Sequence, residues 1–186
     1  MNLFIADTHF YHKNIIEYCN RPFSDIEAMN SFIIEKWNSV VKSGDTVYHL
    51  GDVALCSDAL LRQIRECLNG QICLVRGNHD NRSISKWEDL GFIVLRNAPV
   101  ILEKEKFLFS HVPQPDSVIP DGFINVHGHI HNKLLNQCSY HNGDKNILEY
   151  PPESYSVKKH ICVSAEMINY TPISLKEIRN ISNNKI

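Results

Sequence analysis

The chain has 186 residues, 43% hydrophobic and 22% charged, enough apolar material for the core of one ordinary domain and too much for a disordered or collagen-like chain. Nineteen Lys and Arg against 21 Asp and Glu leave a formal charge of −2, so neither an overall basic field for nucleic acid nor an acidic field for cations is present. The apolar runs are too short to cross a bilayer and Asp7 interrupts any leader-like start, so a cytoplasmic protein with no membrane partner is expected.

Residues 2–6 read as a buried strand that stops at Asp7, and 7–24 as polar and irregular chain. Asp25 caps a helix whose apolar residues Ile26, Met29, Phe32, Ile33, Trp37, Val40 and Val41 follow a near-helical period, ended by Ser43-Gly44-Asp45. A second strand over 46–50, a second helix over 58–68 stopped by Asn69-Gly70, and a third strand over 72–75 follow. This alternation predicts an α/β layered fold. Beyond it, 92–95, 100–102, 107–110, 123–127 and 161–165 read as short strands, and 175–181 as a closing helix or strand. Residues 137–152, polar with Asn-Gly-Asp and Pro-Pro, form a surface excursion. With no repeat or linker, 1–186 is expected to be a single domain.

The six cysteines (Cys19, Cys56, Cys67, Cys73, Cys138, Cys162) include no C-x-x-C pair. They are read as reduced thiols, not as disulfides or a four-thiolate zinc site.

The compositional oddity is histidine, with ten residues. Five apolar runs end in metal-capable side chains: Asp7-Thr8-His9, Gly51-Asp52, Gly77-Asn78-His79-Asp80, Ser110-His111 and Gly128-His129-Ile130-His131. In an open α/β sheet such ends gather at one edge, where ligands bind. Residues i and i+2 near a strand end share a side, which pairs Asp7 with His9 and His129 with His131. Gly51, Gly77 and Gly128 stand where the backbone turns tightly or approaches a ligand. Carboxylates, imidazoles and a carboxamide oxygen together suit Mn²⁺, Fe, Zn²⁺ or a similar ion.

This ordered set resembles the calcineurin-like metallophosphoesterases, and Ala6-Asp7-Thr8-His9-Phe10 with the tail near 163–175 is similar to small bacterial and phage members. The resemblance spans nearly the whole chain. It implies two packed mixed β-sheets flanked by helices in a four-layer sandwich, with the metals at strand ends on one edge. It further implies two divalent ions, Mn²⁺ favoured and Fe, Zn²⁺, Ni²⁺ or Mg²⁺ as alternatives. Asp7, His9, Asp52 and His131 match the first metal's positions. Asp52, Asn78, His111 and His129 match the second's, with Asp52 bridging. A hydroxide shared by the two ions would attack phosphorus, and His79 matches the catalytic histidine that stabilises the phosphoryl oxygens or protonates the leaving group. Asp80 is expected to orient His79.

His12, Arg76 and Arg82 are candidate substrate contacts, the arginines because guanidinium binds phosphate bidentately. A surface salt bridge is the commoner role for each arginine. His49 is read as packed beside its strand, His127 stays outside the constellation, and His141 and His160 are read as solvated. Protein serine/threonine phosphatases carry an acidic-arginine-glycine extension after Gly-Asp and Glu after Gly-Asn-His. Val53-Ala54-Leu55 and Asp80 stand there instead, which argues against that activity.

The expected function is hydrolysis of a small phosphodiester. The alternatives are a phosphomonoesterase or pyrophosphohydrolase acting on a small nucleotide, or a non-catalytic regulatory protein that would have lost a ligand or His79. Dispersed charge disfavours long nucleic acid. The sequence leaves oligomeric state open.

Overall fold

The computed structural model describes residues 1–96, 99–133, 135 and 154–184. The expected excursion at 137–152, with Cys138 and His141, lies outside the described residues, apart from which the five described cysteines are free thiols.

Two mixed sheets carry the fold. The first has the order β4-β3-β2-β1-β9, from β1 (Asn2–Ile5), β2 (Thr46–His49), β3 (Gln71–Val75), β4 (Phe92–Leu95) and β9 (Ile173–Ser174). Strands β1 to β4 run parallel and β9 pairs antiparallel with β1. The second sheet has the order β5-β6-β7-β8, from β5 (Pro99–Leu102), β6 (Glu105–Phe109), β7 (Ile124–His127) and β8 (His160–Cys162), with only β5 antiparallel to its neighbour.

Strand alternation divides the core into two parts. Leu3 and Ile5 of β1 face the helices α2 (Ile26–Val40), α3 (Asp58–Cys67) and α4 (Ile84–Asp89), meeting Met29, Ile33, Trp37, Leu61, Ile64 and Trp87. Phe4 points the other way, into the space between the sheets, with Phe107, Phe109, Val126 and Ile161. Its ring meets those of Phe107 and Phe109 edge-on at 6.1 and 5.7 Å. Helix α5 (Leu175–Asn183) adds Leu175 and Ile178 to the same cluster.

Caps explain the boundaries. Asp25 accepts Ala28 N–H at the start of α2, as the sequence predicts. Ser174 and Glu177 form a capping box that makes 175–183 a helix, which settles the helix-or-strand alternative. Two short helices went unread: α1 (Asn14–Tyr18), with one buried residue, Ile15, and α4, capped by Ser83 and holding Trp87 edge-on to Phe92 at 4.9 Å. Both are too short to show a period. The strand expected over 161–165 ends at Cys162, and Ala165–Ile168 forms a 3₁₀ turn.

Candidate metal centre

The sheets are stitched at one end. Ala6 N–H donates to Val163 O at 2.8 Å and Ala165 N–H returns a bond to Ala6 O at 2.9 Å, joining the chain after β1 to that after β8. Asp7 N–H donates to Gly51 O at 2.9 Å and Gly128 N–H to His111 O at 2.9 Å. The segments beyond β1, β2, β6, β7 and β8 therefore converge, and Asp80 Oδ2, by accepting both Asp52 N–H and Gly77 N–H, brings in the segment beyond β3.

The paired residues share a side for a different reason from the one the sequence suggests. Asp7, His9, His129 and His131 lie beyond their strands, with φ of 56°, 51°, 70° and 51°, and Asp52 follows at 57°. Left-handed turns aim these side chains, at a cost near 1 kcal/mol per residue that the surrounding bonds must offset. Glycine allows the turns to close. A Cβ on Gly128 would lie 2.5 Å from both Ala6 Cβ and Asp7 Oδ2, and one on Gly77 would lie 2.2 Å from Asp52 Oδ1.

Two groups of donor atoms result, Asp7 with His9 and His131, and Asp52 with His111 and His129, each within 4.8 Å of one another. In the first, Asp7 Oδ1 and His9 Nε2 are buried without a hydrogen-bond partner. They lie 4.0 Å apart, and His9 Nε2 is 3.6 Å from Asp52 Oδ2. In the second, His111 Nδ1 lies 2.8 Å from Leu50 O, which can only accept, so the neutral ring keeps its lone pair on Nε2. That nitrogen faces Asn78 Oδ1 at 3.0 Å, His129 Nδ1 at 3.1 Å and Asp52 Oδ2 at 3.2 Å. Such a convergence of lone pairs fits a cation.

The electrostatics agree. Burial would lower His111, but the hydrogen bond and charge of Asp52 push it up to about 9. Burial, aided by the charge of His111, pushes His129 down to about 4. Burial would raise Asp52, yet contact with His111 and His9 holds its carboxyl well below the usual range. A divalent cation would displace the proton that His111 holds.

Around these donors the other sequence candidates separate. His79 is half-buried, its ring 5.4 Å from that of His9 and 5.6 Å from that of His12. His12 Nδ1 lies 3.1 Å from His9 Nδ1, so it braces a donor. Asp80 needs correction. Its carboxylate accepts the backbone N–H groups of Asp52, Val53 and Gly77, bracing two turns and not the ring of His79. Arg82 binds Asp58 at 2.7 Å and Cys56 O, with its guanidinium over Trp87, so these contacts engage it away from a phosphate. Arg76 is exposed and donates to Arg82 O at 3.1 Å.

His49 is buried with Nε2 2.9 Å from Thr8 Oγ1, packed beside its strand as expected. His160, read as solvated, is 2% exposed on β8 and lies 3.1 Å from Asp116, because the strand begins one residue earlier than the sequence suggests.

Sequence reasoning missed Ser164, Arg21 and Glu166. Ser164 donates to Asp7 Oδ2 at 2.7 Å. Its place after the apolar run 161–163 repeats the design of the other five segments and could have revealed it. Arg21, within polar chain, and Glu166, in a short turn, carry no such signal.

The chain is 39% identical over 174 residues to the uncharacterized protein MJ1445 of Methanocaldococcus jannaschii, covering 92% of this chain and 85% of that one. It is 26% identical over 164 residues to the gene 66 protein of Mycobacterium phage L5, covering 71% and 78%. The crystal structure of AQ665, a protein of unknown function from Aquifex aeolicus, superposes with a TM-score of 0.69 at 25% identity, over 97% of this chain and 98% of that one. Among the described residues no helix is long and apolar enough to cross a membrane. The model of the calcineurin-like phosphoesterase superfamily domain matches residues 1–148, and the chain belongs to that superfamily.

Proposed function

We propose that the protein is a metal-dependent hydrolase of a small phosphodiester, with two divalent ions, Mn²⁺ favoured, held by the two donor groups. The observation that carries the reading is the burial of Asp7 Oδ1 and His9 Nε2 without partners beside the lone pairs around His111. Asp7, His9, Asp52 and His131 hold one ion; Asp52, Asn78, His111 and His129 hold the other. When bound, the ions supply Lewis acidity and an activated water. His79, beside the donors and open to solvent on one side, serves the phosphoryl oxygens or the leaving group as hydrogen-bond or proton donor. His12 borders the same space.

A second reading, a phosphomonoesterase or pyrophosphohydrolase on a small nucleotide, has one observation in its favour. A cavity of about 500 Å³ is lined by Arg76, Ile84, Glu88, Val94, Leu95 and Arg96. Pairing of Val75 with Leu95 puts Arg76 and Arg96 side by side at the strand ends, one residue from Gly77. Apolar walls and two arginines, with the single carboxylate Glu88 among them, suit a base and a second phosphate.

The test is hydrolysis of bis-p-nitrophenyl phosphate against p-nitrophenyl phosphate by chelator-stripped protein resupplied with Mn²⁺, Ni²⁺, Zn²⁺ or Mg²⁺, with Asp52→Asn as control. Metal-dependent preference for the diester supports the first reading. Preference for the monoester moves the assignment to the second, and absence of turnover from protein shown to bind two ions leaves a non-catalytic role.

A further inference from the structure

Among the described residues a third group of potential ligand atoms, Cys19, His131 and Glu166, shares His131 with the first donor set. It is not itself arranged for a cation. Arg21, with its side chain fully buried, already supplies the charge, its Nε and Nη2 lying 2.8 and 2.7 Å from Glu166 Oε1. The same oxygen is 3.1 Å from His131 Nδ1. Arg21 also donates to the backbone oxygens of Thr8 at 3.0 Å and Asp7 at 2.7 Å. One guanidinium thus ties the left-handed Asp7 turn to the carboxylate that meets His131.

The arrangement costs stability. Glu166 Oε2 is buried without a hydrogen-bond partner, and an unsatisfied buried acceptor costs about 1–3 kcal/mol. Packing alone would favour an apolar side chain here. We propose that Glu166, anchored by Arg21, is a positioning residue that accepts Nδ1–H of His131, fixing its tautomer and ring so that Nε2 is offered to the first metal. The inference rests on the two-metal reading above. A carboxylate behind a ligating imidazole orients the ring and raises its basicity, and losing such a partner costs 10–100-fold in affinity. The effect is expected to fall mainly on the first site, because the bonds of Arg21 and Glu166 run to Asp7, Thr8 and His131 on that side of the centre.

The test is Mn²⁺ titration of chelator-stripped wild type, Glu166→Gln and Glu166→Ala, by calorimetry and by the paramagnetic signal of free Mn²⁺, with circular dichroism of each stripped protein. Wild type is expected to bind two ions. Glu166→Ala is expected to lose 10–100-fold at one site and to keep the other within about twofold, with Glu166→Gln, which retains an acceptor oxygen, between them. Equal affinities at both sites in a folded variant would overturn the positioning role. Equal weakening of both sites would overturn it too, since it indicates general loosening. Should Glu166→Ala fail to fold, Glu166→Gln and the double variant Arg21→Gln/Glu166→Gln, which leaves no unpaired buried charge, decide by the same criteria. A wild type that binds no divalent ion would instead refute the two-metal reading.

Discussion

The carboxylate of Asp80 accepts the backbone N–H of Asp52 at 2.7 Å, while Asp52 Oδ1 accepts the backbone N–H of His79 at 2.9 Å. Each acidic side chain therefore holds the other's loop. Asp80 further takes Val53 N–H at 3.0 Å and Gly77 N–H at 2.8 Å. With Oδ1 committed to the backbone, Asp52 presents Oδ2 to both donor groups, 3.6 Å from His9 Nε2 and 3.2 Å from His111 Nε2.

Asp80→Asn tests this clamp. An amide offers one acceptor oxygen where the native side chain uses two, and turns its NH₂ group toward a backbone N–H. Metal-stripped protein is expected to lose about 1–3 kcal/mol in urea unfolding, with weaker binding of both ions. An unchanged urea midpoint would show that the clamp contributes little.

Asp52→Asn separates charge from shape. The amide oxygen can still accept His79 N–H, so circular dichroism of the stripped variant should match wild type. Both ions should weaken together, by more than the 10–100-fold typical of an outer partner, and turnover should collapse. Full activity in this variant would refute the bridging role.

His79→Asn makes the opposite demand. The ring lies against those of His9 and His12, outside both donor groups, and Asp52 holds only its backbone. The variant is expected to bind two ions with wild-type affinity and to lose about 10²–10⁴-fold in kcat. Loss of metal content would place His79 among the ligands.

Most of this architecture was legible because its signals are local. Strands β1 to β4 are apolar runs with sharp ends, and Asp25, Asn69-Gly70 and Gly77 punctuate them as capping and turn chemistry requires. The donor residues follow those runs immediately. What escaped depends on long-range geometry: Arg21 reaches Glu166 across 145 positions, and Ser164 reaches Asp7 across 157. Asp80 was singled out for the right neighbourhood and the wrong partner, because the return of its side chain to Asp52 depends on the parallel pairing of β2 with β3. Likewise Asp and His adopt left-handed φ more often than most residues, but nothing local marks Asp7 and His9 as positions that do so.

His49 supplies a prediction in pH. Thr8 Oγ1 donates to Val53 O at 2.9 Å, so it can only accept from His49 Nε2, and His49 Nδ1 is buried without a partner. The ring also stacks on Trp37 with centroids 6.4 Å apart. Burial pushes His49 down to about 3 from an ordinary 6.5, so the folded chain keeps it neutral where the unfolded chain takes up a proton. Proton uptake by the unfolded state alone means that stability falls as pH drops from 6.5 toward 3, by up to about 1.4 kcal/mol per pH unit from this group. Above pH 6.5 both states are neutral and the contribution is flat. His49→Gln retains a donor for Thr8 without a titrating group. The difference in unfolding free energy between stripped wild type and this variant should therefore be constant above pH 7 and shift in favour of the variant below 6. A difference that stays constant down to pH 5 would mean that His49 gains a proton in the folded state as readily as in the unfolded one.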